Sequence, residues 1–195
     1  MVDNFEDIAD MMNFHSDDDF YFIQIIQRRK ENPDMEKGSR AIKNYIIRSY
    51  EQLELYRPDI IAFCNHFNAR ATIRLNKRSF KQCAFKTLSA MADNVSNEDY
   101  RPADKVYSQI MGKYAADPDK KWIIDIDDME DDHPEVSKIL EVISTYEPVG
   151  DKLHRIIKSK TGCHLVTRPF NLKSFKDDYP KIDVMKDGIS NIYIP

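Results

Sequence analysis

The spacing of apolar residues changes character several times along the chain. Phe20 to Ile26 (FYFIQII) is aromatic and branched and predicts a buried strand. Residues 1–19 before it are acidic, end in His15-Ser16-Asp17-Asp18-Asp19, and read as a mobile or loosely docked arm. Residues 31–38, with Pro33 and a charge cluster, read as a loop. Ser39 is placed to cap a helix whose inner face carries Ile42, Tyr45, Ile46 and Leu53. Pro58 then starts a second helix through Ile60, Ile61, Phe63 and Phe67. Residues 71–75 alternate as a strand, and Ser79 with Gln82 forms a capping box for a helix through Phe80, Ala84, Leu88 and Met91. A turn-rich connection over 94–102 leads to a helix carrying Val106, Ile110 and Met111.

The second half has a different texture. Residues 122–127 (WIIDID) are a short apolar strand ending in acids. Pro134 opens a helix with Val136, Ile139, Leu140 and Ile143 inward. Two short strands, 153–158 and 163–167, flank Thr161-Gly162, and a helical turn follows at 171–176. Residues 182–185 and 191–193 predict a last hairpin around Asp187-Gly188. The implied class is α+β: an antiparallel or mixed sheet with helices on it, after a largely helical N-terminal part. The divisions are an arm at 1–19, a mainly helical part with one α/β unit at 20–115, and a core at 116–195, all within one compact domain.

Composition narrows the function. The chain has 195 residues, enough to bury a core without disulfide or metal staples. Charged residues make up 32% and apolar ones 42%, with only five Gly, which excludes collagen-like and wholly disordered chains. A net charge of −4 excludes a globally basic nucleic-acid coat, so an anionic ligand needs a local patch or metal ions held by the acids. No apolar run is long enough to span a membrane, and the acidic start is unlike a signal peptide. Cys64, Cys83 and Cys163 are scattered and odd in number, which argues against a disulfide framework or zinc module and for a reducing cytoplasm.

Three groups of residues can carry chemistry. Asp125 and Asp127 lie at alternate positions of one strand, so both carboxylates face one way and offer hard oxygen ligands to Mg²⁺ or Mn²⁺. The same acids also suit the start of the following helix. The segment Lys158-Ser159-Lys160-Thr161-Gly162-Cys163-His164 sits at a tight turn between strands. It supplies hydroxyls, charge, a glycine free to take positive φ, and a histidine, a set able to grip a triphosphate, though an ordinary hairpin has the same outline. Asp183 is an acid inside a late apolar strand, and Asp187 beside it has the context of a simple turn. Basic residues surround these motifs, among them Lys152, His154, Arg155, Arg168, Lys173 and Lys176. A second basic patch, Arg70, Arg74, Lys77, Arg78 and Lys81, can track a nucleic-acid backbone or merely solvate an edge.

The order of these motifs resembles the catalytic core of the archaeo-eukaryotic primase superfamily, which includes the primase-polymerases of phages and plasmids. The matching residues are Ile123-Ile124-Asp125-Ile126-Asp127, Ser159-Lys160-Thr161-Gly162-Cys163-His164 and Ile182-Asp183-Val184, within roughly residues 120–195. The resemblance implies an RRM-like sheet, metal-binding aspartates at Asp125, Asp127 and Asp183, and nucleotide contacts from Ser159 and His164. Lys158, Lys160, Thr161, Gly162 and Arg168 complete the expected nucleotide site, and Asp125, Asp127 and His164 the expected catalytic set. The implied reaction joins nucleoside triphosphates on a single-stranded DNA or RNA template, with Mg²⁺ or Mn²⁺ as cofactor. A helicase or other replication protein is the expected partner. No zinc module is visible, and the segment GISNIYIP (188–195) after the third motif lacks the basic residue often found there.

Two other classes fit the same residues. A non-catalytic nucleic-acid-binding module would stack bases on Phe20, Tyr21 and Phe22. A metal-dependent nuclease or phosphohydrolase would use the carboxylates for cleavage. The chain lacks a GxSxG elbow and the glycines of a P-loop or Rossmann site.

Overall fold

The computed structural model describes residues 1–195 except Lys37, Arg101, Pro102 and Asp104. The end of the predicted 94–102 connection therefore lies outside the described residues. The chain begins with strand β1 (Val2–Asp3) and helix α1 (Phe5–Met11). Strands β2 (Asp19–Arg28) and β3 (Ser39–Ile47) precede helix α2 (Tyr50–Phe67) and strand β4 (Arg70–Arg74). Strand β5 (Arg78–Ser79) leads into helices α3 (Phe80–Ser96) and α4 (Val106–Lys113). Then come β6 (Trp122–Asp127), α5 (Pro134–Thr145), β7 (Leu153–Lys158), β8 (Gly162–Thr167), α6 (Leu172–Asp178), β9 (Asp183–Met185) and β10 (Ile189–Ile194).

The strands form two sheets. One is six-stranded in the order β1-β10-β4-β2-β3, with β5 attached to β2; the other is four-stranded in the order β7-β8-β6-β9. Every described pairing is antiparallel. The smaller sheet and its helices run β6-α5-β7-β8-α6-β9. Their central strands are the first and third of the unit, which is the βαββαβ arrangement of the expected RRM-like core. Ile124, Ile126, Cys163 and Leu165 point to one face and pack on Val136, Ile139 and Ile143 of α5 and on Phe175 of α6. Ile123, Ile157 and Val166 face the other way and join Ile23, Ile73 and Ile192 of the larger sheet in one core. That shared core makes the two sheets a single packed body.

Four sequence expectations change. The N-terminal arm is built into the fold: β1 pairs with β10, and Phe5, Ile8 and Met12 are buried. Its acids form ion pairs at the surface that tie the arm down: Arg57 bonds Asp3 and Glu6, and Arg155 bonds Asp10. Residues 39–47 are an edge strand, not a Ser39-capped helix. The cap is Ser49, whose side chain accepts from Gln52 N, and α2 runs on through Pro58 without a break. The N-terminal part is accordingly a sheet covered by helices rather than mainly helical. The last hairpin does not form either, because β9 pairs with β6 while β10 crosses to β4 in the other sheet. The RRM-like unit thus ends near Met185. Ser79 does cap α3, accepting from Gln82 N at 3.0 Å.

Candidate active site

The three motifs meet on one face of the smaller sheet. In antiparallel pairs, directly opposed residues share a face. Asp125 in β6 stands opposite His164 in β8 on one side and Asp183 in β9 on the other. Asp127, one alternation along, stands opposite Gly162. Residues far apart in sequence thereby form a row His164–Asp125–Asp183 across three neighbouring strands.

Within the row, His164 Nε2 lies 3.3 Å from Asp125 Oδ1, and His164 Nδ1 lies 2.9 Å from Ser190 Oγ. Ser190 comes from β10 of the larger sheet, so the histidine bridges the two sheets. The simplest proton assignment has the Ser190 hydroxyl donating to Nδ1 and Nε2–H donating to Asp125. The hydrogen bond from His164 holds the Asp125 carboxyl below the usual aspartate range, against the opposing effect of its partial burial. Asp125 is therefore anionic at neutral pH. The three residue types are those of a hydrolytic triad, but the polarity is reversed. Ser190 is fully buried behind the histidine while Asp125 is partly open to solvent, so Ser190 serves as a strut and not a nucleophile.

The other predicted residues divide. Asp127 is exposed at the end of β6, and Asp183 points to solvent with Lys176 Nζ 3.7 Å away. Lys158, Ser159, Lys160, Thr161 and Gly162 form the β7–β8 turn and line a cleft of about 710 Å³ with Asp131 and Ile194. Asp125 and His164 are not part of its wall. Lys160 is held at 3.0 Å by Glu31, which is buried and also takes a two-pronged bond from Arg70. Burial pushes the Glu31 carboxyl up, but Arg70 and Lys160 together pull it below its ordinary value. Gly162 is required for a reason other than positive φ: a Cβ there would sit 2.1 Å from the carbonyl oxygen of Ile126 in the adjacent strand. Arg168 does not join the site. It follows the far end of β8, six residues or ~20 Å of strand from the turn.

The second basic patch is not a surface track. Arg78 and Lys77 are buried on Asp187 and Asp19, and Arg70 on Glu31. Lys152 is likewise buried, donating to the carbonyls of Pro148 and Gly150. Phe20, Tyr21 and Phe22 are buried in the core, so they cannot stack on bases. Ser190 and Glu31 were not among the predicted site residues, and Arg70 was expected only as part of the second basic patch. No local pattern flags Ser190, because its partner lies in the other sheet.

No three His, Cys, Asp or Glu side chains converge into a metal cage among the described residues. The donor types still suit Mg²⁺ or Mn²⁺. Mg²⁺ commonly takes only one or two carboxylates and completes its shell with water and substrate phosphates. Asp125 and Asp183 are two carboxylates opposed in neighbouring strands, and Asp127 is exposed one alternation along. Among the described residues no helix is long and apolar enough to cross a membrane. Comparison with protein-family models, curated proteins and solved structures gives no match, so the functional reading rests on the chain's own geometry.

Proposed function

We propose that the chain is a metal-dependent nucleotidyltransferase of the primase-polymerase kind, joining nucleoside triphosphates on a nucleic-acid template. The observation that carries this reading is the row His164–Asp125–Asp183, assembled in register from three separate motifs on one sheet face. Asp125 and Asp183, with Asp127 at the rim, would hold Mg²⁺ or Mn²⁺ together with the triphosphate. The ion supplies Lewis-acid stabilisation of the charge that develops on phosphate oxygens during transfer.

The chain's own residues do the rest. His164, fixed by Ser190, keeps Asp125 oriented and ionised toward the substrate side. The Lys158–Gly162 turn offers hydroxyls, backbone and two ammonium groups to the phosphate tail. Lys160 reaches that tail by exchanging its bond to Glu31 for one to phosphate. A buried Arg70 left on Glu31 keeps that exchange local. A nuclease built on the same carboxylates would give cleavage instead of extension in the same assay.

The test is nucleoside-triphosphate binding with and without Mn²⁺, followed by extension of a primed single-stranded template. Wild type should bind only with the ion and extend the primer. Asp125→Asn should lower extension by ~10²-fold or more, as expected for loss of a group that stabilises transition-state charge. Nucleotide binding that is absent, or that ignores both the ion and the substitution, would sink the proposal.

A further inference from the structure

Helix α3 turns one side inward and leaves an apolar stripe outside. Phe80, Cys83 and Ala90 pack with Phe20 and Phe22 of the larger sheet. On the outer side Phe85, Leu88 and Val95 are 64%, 65% and 58% exposed, and Met91 is 40% exposed. Ala84 and Ala92 are exposed between them. These positions follow the three- and four-residue spacing of one helical face, so they form a continuous seam with no charge from Ala84 to Val95 along its line. Scattered exposed apolar residues are ordinary in proteins, but a contiguous stripe of large ones marks an interaction surface.

The charges at the ends of α3 indicate what covers it. A helix favours acids at its start and bases at its end. This one has Lys81 and no acid of its own in its first turn; its last turn carries Asp93 and no base, and Glu98 follows just beyond. Asp18, from outside the helix, accepts from Ser79 Oγ and Lys81 N and partly offsets the first turn. Among the described residues no side chain plays this part for Asp93 and Glu98, whose backbone groups bond only within the same segment. A second α3 laid antiparallel meets both needs. It brings a Lys81 to each acidic end and opposes the two dipoles.

We infer that α3 is a homodimer interface: two copies of this chain pack their α3 stripes antiparallel about a two-fold axis at the level of Ala90. Phe85 of each copy then lies opposite Val95 of the other, and Leu88 opposite Ala92. Lys81 comes within reach of the other copy's Glu98. The arrangement is isologous and closed, so it ends at two copies and does not propagate. It uses no residue of the Asp125 row and is independent of the nucleotide reading.

Sedimentation velocity across a wide concentration range should give a species of twice 22.9 kDa that dissociates on dilution. Leu88→Glu, at an exposed position, should give a folded monomer with an unchanged far-UV spectrum. Lys81→Glu should weaken the dimer, and adding Glu98→Lys should restore it. Orientation is read from spin labels at Ser89→Cys and, separately, Ser96→Cys, since the native cysteines are all buried. An antiparallel pair places the labels at 96 farther apart than those at 89 by up to ~15 Å along the axis, at 1.5 Å per residue. A monomer at every concentration, a dimer indifferent to Leu88→Glu, or equal distances at the two label sites would each overturn the inference.

Discussion

Two groups of charged side chains lie at the junction of the sheets, and they are treated differently. On the side of the larger sheet, Arg78 is fully buried and every nitrogen of its guanidinium is bonded. Its guanidinium makes paired bonds to Asp187 at 3.1 and 2.7 Å, donates from Nε to the Met111 carbonyl at 2.9 Å, and bonds the Asn76 carbonyl. Lys121 and Asp117 pair beside it at 3.1 Å, both buried, and Asn76 ties Lys121 and Asp187 together. On the smaller sheet, Asp125 has one side-chain partner among the described residues, and Asp183 and Asp127 face solvent. Buried charges persist only when they are paired and hydrogen-bonded, as Arg78 is. The Asp125 row keeps acceptor capacity unspent where a ligand can reach it. A saturated network holds the fold, and an unsaturated one is available for chemistry.

The sharpest way to break that contrast is to remove one member from each side. Arg78→Met leaves Asp187 without its charged partner and should cost about 3–5 kcal/mol of stability, the range for breaking a buried ion pair. Urea denaturation measures it, and a loss under about 1 kcal/mol would mean the network is not structural. Asp125→Asn should do the reverse, with extension falling while the denaturation midpoint barely moves. Its single pairing is at a partly exposed group, and such pairs contribute roughly 0–1 kcal/mol.

Gly162→Ala probes the seam between fold and site. The added methyl meets the Ile126 carbonyl, so β6 and β8 must part where the turn joins the row. Overpacking of this kind typically costs about 1–3 kcal/mol, and the nucleotide affinity should fall with it. A variant as stable and as tight-binding as wild type would show that the turn and the row are not mechanically joined.

What the sequence revealed follows a physical line. Strands 122–127, 153–158 and 163–167 were legible because each is short, apolar and bounded by turn residues, and the face shared by Asp125 and Asp127 follows from strand alternation alone. Residues 39–47 were not. Ile42, Tyr45 and Ile46 have helical spacing, but they sit in an edge strand where one flank is open and alternation is weak. The arm at 1–19 was misread because its seven acids nearly match its eight apolar residues in number and mask their pattern. Yet Phe5, Ile8 and Met12 already have the spacing of a buried helical face. Asp187 looked like a turn residue because Asp-Gly is a local signal. Its real role, partner to Arg78 and Asn76, depends on contacts more than 100 residues distant, which no local pattern encodes.

The smallest expected effect separates the two regions by pH. His154, in β7 and away from the row, is half-buried, and its Nε2 has no hydrogen-bond partner among the described residues. Burial pulls its pKa below the ordinary 6.5, with the nearby acids Asp119 and Asp117 only partly opposing and Lys121 and Arg168 adding to the shift. The unfolded chain therefore takes up a proton near 6.5 while the folded chain does not. The stability His154 confers is complete above that pH and declines as pH falls through it. Asp125 is also lowered, so its contribution holds above the ordinary aspartate value of 3.8 and is lost only as pH drops below it. Melting temperatures of wild type, His154→Phe and Asp125→Asn between pH 8 and pH 3 distinguish the two. His154→Phe should flatten the slope below about 6.5 and leave the acid limb intact, whereas Asp125→Asn should alter only the acid limb. If Asp125→Asn instead changed the slope near neutrality, the row would share the structural character assigned to the Arg78 network.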